Sequence, residues 1–64
     1  MYFLSDIDGR ITLPISLYTA IRLLLFRGLQ NLSFGESVFI EDESGNLLYK
    51  LSWFENRPTK LINH

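Results

Sequence analysis

The chain is expected to fold as an α+β domain, a small β-β-α-β-β unit, and three observations point that way. Two short apolar stretches flank Asp6-Ile7-Asp8-Gly9, a turn sequence of the hairpin kind. From Ile15 to about Asn31 the apolar spacing switches to the helical period. Alternation then returns on both sides of Glu43-Ser44-Gly45-Asn46. Sixty-four residues hold one domain at most, assigned to residues 1–54, with residues 55–64 as a polar tail.

Taken in order, Tyr2 to Ser5 is aromatic and apolar, and Arg10 to Leu13 alternates with Ile11 and Leu13 on one face. Pro14 stops the second strand because it has no N–H for a ladder. It can equally serve as the first helical residue, where a missing donor costs nothing. In the helix Leu17, Ile21, Leu24 and Gly28 recur at i, i+4, i+7 and i+11, and Leu25, Leu29 and Leu32 extend that face. Ser16, Thr19, Arg22, Arg27 and Gln30 form the polar face, and Leu23 and Phe26 interrupt it. Gly28 kinks the helix or ends its regular part, and Asn31-Leu32-Ser33-Phe34-Gly35 reads as the exit loop.

Ser37 to Asp42 and Leu47 to Phe54 form the second hairpin. Leu47, Tyr49, Leu51 and Trp53 fall on one face of its closing strand, with Leu48, Lys50, Ser52 and Phe54 on the other. Glu55 to His64 is polar, contains Asn56-Arg57-Pro58, and is either frayed or ordered by a partner. Phe3 to Ile11 can also be laid on Phe39 to Leu47, sharing Phe-apolar-x-Asp-x-x-Gly-x-apolar, which two hairpins of similar turn chemistry produce without duplication.

Composition narrows the function. A chain this short buries only about 60% of its unfolded surface, and small scaffolds lean on disulfides, metals or partners. There is no cysteine, and the one histidine is His64, so disulfides, thiolate sites and imidazole clusters are excluded. Oligomerisation remains, and 47% hydrophobic with 14% aromatic is rich for such a length. A homodimer or a bound partner is therefore expected. Net charge is −1, no footprint for nucleic acid. The N-terminus lacks the basic stretch of a signal peptide, and the longest apolar run, Leu23 to Phe26, is far below the roughly 20 residues that span a bilayer. A cytoplasmic location with no membrane partner is the expectation.

"FLSDIDG" resembles the first motif of haloacid-dehalogenase-type phosphatases, which would make Asp6 the nucleophile and Asp8 the general acid beside a magnesium ion. Arg10 stands where that motif has Thr, and the doubly wound sheet that carries the remaining ligands does not fit in this length. A calcium loop starting at Asp6 would need Gly and Glu where Ile11 and Leu17 stand. The expectation is a chain with no catalytic residues, no metal, no cofactor and no small-molecule substrate.

"DIDGRITLPISL" resembles the swapped-hairpin family of AbrB-type regulators and MazE-type antitoxins, whose pattern runs Asp-x-x-Gly-Arg-apolar-x-apolar-Pro-x-x-Leu. Asp6, Gly9, Arg10, Ile11, Leu13, Pro14 and Leu17 match it, and "GESVFIEDESGNLLYKL" resembles the family's second half. The resemblance implies a homodimer that exchanges hairpins to form one barrel, and DNA binding through arginines on the hairpin loops and helix. Arg10 matches the family's Gly-Arg pair, and Arg22 and Arg27 are the helix candidates. The stretch from Pro14 to Gly35 is longer than the family pattern, and Tyr18 stands where an arginine is common.

Two functions emerge as expectations. One is a small DNA-binding transcriptional regulator or antitoxin-like protein acting as a dimer. The other is a non-enzymatic protein–protein interaction module, an adaptor or phage-type inhibitor. Its surface would comprise Leu23 and Phe26 on the helix, one of Trp53 and Phe54, and the acidic hairpin tip Glu41, Asp42 and Glu43.

Overall fold

The computed structural model describes residues 1–29 and 32–61. It is an α+β domain of β1 (Tyr2–Asp6), β2 (Gly9–Arg10), α1 (Leu17–Leu29), β3 (Ser37–Asp42), β4 (Leu47–Ser52) and β5 (Thr59–Lys60). The strands form one antiparallel sheet in the order β2-β1-β3-β4-β5, and α1 packs on β1, β3 and β4. The expected facing of the Gly28, Leu29 and Gln30 side chains, the place of Asn31 in the exit loop and that of residues 62–64 in the tail lie outside the described residues.

Both hairpins turn on the same chemistry. Asp6 Oδ1 accepts the Asp8 amide at 2.8 Å, and Asp42 Oδ1 accepts the Ser44 amide at 2.9 Å. Three residues after each aspartate stands a glycine at positive φ, 116° at Gly9 and 87° at Gly45, which a side chain rarely tolerates. Of the two aspartates that suggest a phosphatase motif in the sequence, Asp6 closes this turn with its side chain and Asp8 supplies the amide it accepts.

β2 is shorter than the expected strand over Arg10 to Leu13. Ser5 pairs with Arg10, which in regular register would set Tyr2 opposite Leu13, yet Tyr2 bridges Ile15, so two extra residues lie on the second strand. Pro14 cannot donate to a ladder. The Thr12 side chain fills part of the gap, its Oγ1 accepting the Leu4 amide at 3.0 Å.

Ile15 is held to β1 by hydrogen bonds in both directions with Tyr2, at 2.8 and 2.9 Å, so the helix starts after it and Pro14 is not its first residue. Ser16 is the N-cap: its Oγ accepts the Thr19 amide at 3.2 Å, and its carbonyl accepts the first helical bond from Ala20. The buried side of α1 is Ala20 and Leu24, with Leu17 and Ile21 beside them at the expected spacing. These close on Leu4, Val38, Ile40 and Leu51 of the sheet to form the core. Leu25, expected on that side, is exposed.

A bulge modifies the closing strand. Ile40 pairs with Tyr49, but the next residue, Glu41, pairs with Leu47, leaving Leu48 as the extra residue. Tyr49 and Leu51 keep the expected core face, whereas Leu47 is displaced from it and Trp53 lies beyond the strand end. Within the expected tail, Thr59 and Lys60 pair with Lys50 and Tyr49 as a fifth strand.

Candidate functional site

The sheet face opposite the helix carries Phe3, Ser5, Phe39 and Glu41, alternating with the core residues of β1 and β3. Arg10 lies across it. Its guanidinium sits 3.9 Å above the Phe3 ring, its Nε donates to Glu41 Oε1 at 2.8 Å, and Nη2 reaches the carbonyls of Asp42 and Glu43 at 3.4 and 3.3 Å. The arginine nominated for phosphate is thus neutralised within its own chain by a carboxylate only 13% exposed. Arg22 is on the helix surface, 5.6 Å from the Tyr18 ring centroid and hydrogen-bonded to its hydroxyl. Arg27 is exposed in the last turn. The structure does not gather Arg10, Arg22 and Arg27 into one basic surface: the first is on the sheet, the others on the helix.

The acidic tip is similarly engaged. Besides the Glu41–Arg10 pair, Glu43 accepts from the N-terminal ammonium at 2.6 Å. Asp42 takes the amides of Ser44 and Asn46, and the Asn46 side-chain amide. The Asn46 bonds first, then those of Ser44 and Gly45, hold its carboxyl below the usual 3.8. Of the helix candidates, Leu23 is half-buried and packs against the core, while Phe26 is 54% exposed.

Trp53 and Phe54 belong to a larger cluster that apolar periodicity does not reveal. Phe34 stacks on Trp53 with ring centroids 4.4 Å apart, and Trp53 meets Phe54 edge-on at 5.5 Å. The three are 86%, 41% and 71% exposed. They ride on two turns of the same construction. In Ser33-Phe34-Gly35-Glu36, the Glu36 amide donates to the Ser33 carbonyl and Glu36 Oε1 accepts the Ser33 amide at 2.7 Å. In Ser52-Trp53-Phe54-Glu55, the Glu55 amide donates to the Ser52 carbonyl and Glu55 Oε1 accepts the Ser52 amide at 2.8 Å. The Trp53 amide then donates to the Glu36 carbonyl at 3.0 Å, locking one turn to the other. The repeated pattern Ser-aromatic-x-Glu is the signal in the sequence that points to Phe34. Glu55 also accepts the Thr59 hydroxyl; its bond from Ser52, with Thr59 and the charge of Lys50, holds the carboxyl below the usual 4.5.

Beside these turns lies a cleft of about 380 Å3 lined by the first hairpin turn, Asp6-Ile7-Asp8, and by Gly35-Glu36-Ser37, with Phe39 from β3. Among the described residues, no group of three or more side chains is arranged to hold a metal ion, and no helix is long and apolar enough to cross a membrane. No protein-family model matches the chain, and no curated protein or solved structure matches it either.

Proposed function

We propose that the chain is a non-enzymatic protein–protein interaction module that presents Phe34, Trp53 and Phe54 to a polypeptide partner. One observation carries this reading: three large aromatic rings stand exposed on two interlocked hydrogen-bonded turns. Leaving such rings in water is unfavourable, and because the turns are already ordered, association need not order them. Interfaces draw most of their energy from a few aromatic anchors of this type.

The test is a paired one. Phe34→Ser/Phe54→Ser is expected to keep the circular dichroism of the parent, since neither ring lies in the core, and to lose at least tenfold in affinity for partners crosslinked to the parent in its native cell. Equal partner affinity in parent and variant would overturn the reading.

The second reading, a DNA-binding regulator, draws support from the AbrB/MazE resemblance around Gly9-Arg10, with a hairpin-exchanged homodimer as its assembly. Against it weigh the Arg10–Glu41 pair and a net charge of −1. Salt-sensitive binding to duplex DNA would favour it, because neutralised phosphates release counterions. Tyr18, Leu25 and Phe26 are also exposed on α1, with the charged Arg22 among them on the Tyr18 hydroxyl, and a second copy is our proposed occupant there. Phe26→Asp then lowers the solution mass measured by sedimentation, if dimerisation uses this face.

A further inference from the structure

We propose that the cleft between the first turn and the Gly35–Ser37 segment receives an arginine or lysine side chain of the partner, whose apolar neighbours pack on Phe34, Trp53 and Phe54. This rests on the interaction-module reading and adds the chemistry of the partner: a basic polypeptide segment with apolar residues beside its cation.

The cleft and the aromatic cluster are one continuous surface, because Gly35 and Glu36 line the first and belong to the turn that carries Phe34. Three carboxylates border the cleft, Asp6, Asp8 and Glu36, and none is ion-paired with a described residue. Among the described residues, no basic one lines it. Two cations share this sheet face and both act elsewhere: Arg10, opposite Ser5, is paired with Glu41, and Lys50, opposite Phe39 in the β3–β4 register, acts on Glu55. Two of the three carboxylates already engage one oxygen with a local amide, Asp6 with Asp8 and Glu36 with Ser33, which fixes where the remaining oxygens lie.

Ile7 and Phe39 give the same cleft apolar walls. A site with carboxylates at the rim and apolar walls suits a long side chain with a hydrocarbon stem and a cationic head. It does not suit an acidic strand or nucleic acid, whose charge the rim repels. The adjacent rings add a second attraction, since a cation over an aromatic face is stabilised by the ring quadrupole. The molecule uses that contact itself, with Arg10 over Phe3.

Edge pairing is a poor alternative route for a partner strand. On β1 the Leu4 amide is taken by Thr12, and on β4 the Ser52 amide is taken by Glu55. The edge strands β2 and β5 are only two residues long, and where they leave β1 and β4 uncovered these side chains take the free amides.

Trp53 is the only tryptophan and reports on the surface directly. The full chain is titrated with acetyl-(Leu-Arg)4-amide and with acetyl-(Leu-Glu)4-amide while Trp53 emission is followed. The arginine peptide is expected to bind and shift the emission to shorter wavelength, and the glutamate peptide to bind at least tenfold more weakly. Two charge-matched variants locate the site: Asp8→Asn/Glu36→Gln weakens the arginine peptide by about fivefold, whereas Glu41→Gln/Glu43→Gln, at the other hairpin tip, leaves it within about twofold. Equal binding of the two peptides, or equal loss in the two variants, overturns the cationic inference while the aromatic surface stands. If Phe34→Ser/Phe54→Ser binds both peptides as the parent does, the interaction reading itself fails.

Discussion

The two hairpins begin alike and end differently. Each opens with an aspartate that accepts the amide two residues on, and each places a glycine of positive φ one residue later. From there the second hairpin builds two six-residue strands, while the first pairs two residues and then loops out before bridging at Ile15. Turn chemistry therefore starts a hairpin but does not set its length. The residues after the turn set it: Leu47 onward can donate at every position, whereas Thr12-Leu13-Pro14 brings a residue with no amide hydrogen. The fourth residue after each aspartate differs too. Asn46 returns to the Asp42 carboxylate with two bonds, whereas Arg10 crosses the sheet to Glu41 and so ties the first hairpin to the second.

The hairpins share one buried position, and removing it has the largest expected effect. Ile40 is fully buried and lies opposite Leu4 of the first hairpin and Tyr49 of the second. Ile40→Ala is expected to cost about 2–5 kcal/mol. A chain of this size has a total stability of only about 3–10 kcal/mol, so the variant is expected to be largely unfolded at moderate urea. Ile40→Val, at about 1 kcal/mol, keeps the comparison measurable. A midpoint unchanged in Ile40→Val would mean that the hairpins do not depend on a common core.

The glycines separate the hairpins next. A Cβ at Gly9 meets nothing within 4 Å, and at Gly45 only Glu41 Oε2 at 4.0 Å, so alanine at either site is strained by backbone conformation rather than by collision. The local strain is about 1–2 kcal/mol in each case. In Gly45→Ala it should appear in full in the urea midpoint, because β3 and β4 lie in the core. In Gly9→Ala a smaller loss is expected, since the two-residue β2 can fray locally; faster amide exchange at Arg10 and Ile11 would show that. Equal global losses would erase the distinction.

Thr12 tests the surrogate that the first hairpin needs and the second does not. Thr12→Val keeps the shape and removes the acceptor of the Leu4 amide. About 1 kcal/mol is expected, with Thr12→Ser recovering most of it. If valine is neutral in thermal unfolding, the Leu4 amide has found water instead.

Much of this architecture is legible in the residues. The Asp-x-x-Gly turns, the existence of the helix and the spacing that buries Leu24 all derive from local propensity and period. The helix's start at Leu17 rather than Ile15 is instead set by the bonds of Ile15 to Tyr2. Ala20 escapes an apolar count because its side chain is small, yet that size lets the helix approach the sheet closely. The bulge at Leu48 is invisible because period two assumes unbroken register. The site is less legible still. Trp53 and Phe54 are readable as aromatics that one core cannot absorb, but Phe34 reads as part of a loop. What defines its turn is a glutamate returning to the amide three residues earlier, a side-chain-to-backbone bond that apolar periodicity does not register.

Acid gives the last and smallest contrast, acting on the second hairpin's turn through Asp42 and on the Ser52–Glu55 turn through Glu55. The Asn46, Ser44 and Gly45 bonds depress the Asp42 carboxyl below 3.8, and the Ser52 amide with Thr59 depresses Glu55 below 4.5. A group whose folded pKa is depressed contributes stability above its unfolded value and loses it as pH falls through the folded one. Folding should therefore be indifferent to pH near neutrality, begin to weaken below about 4.5 through Glu55, and weaken further below 3.8 through Asp42. Both residues are only partly buried, so the slope is expected to be shallow. Asp42→Asn keeps an acceptor for the Ser44 and Asn46 amides but has no proton to gain. It should start lower at neutral pH and lose less on acidification, with its urea midpoint approaching that of the parent as pH falls. Parallel pH profiles for parent and variant would show that the second turn owes nothing to the charge on Asp42, and that the shared Asp-x-x-Gly geometry alone accounts for both hairpins.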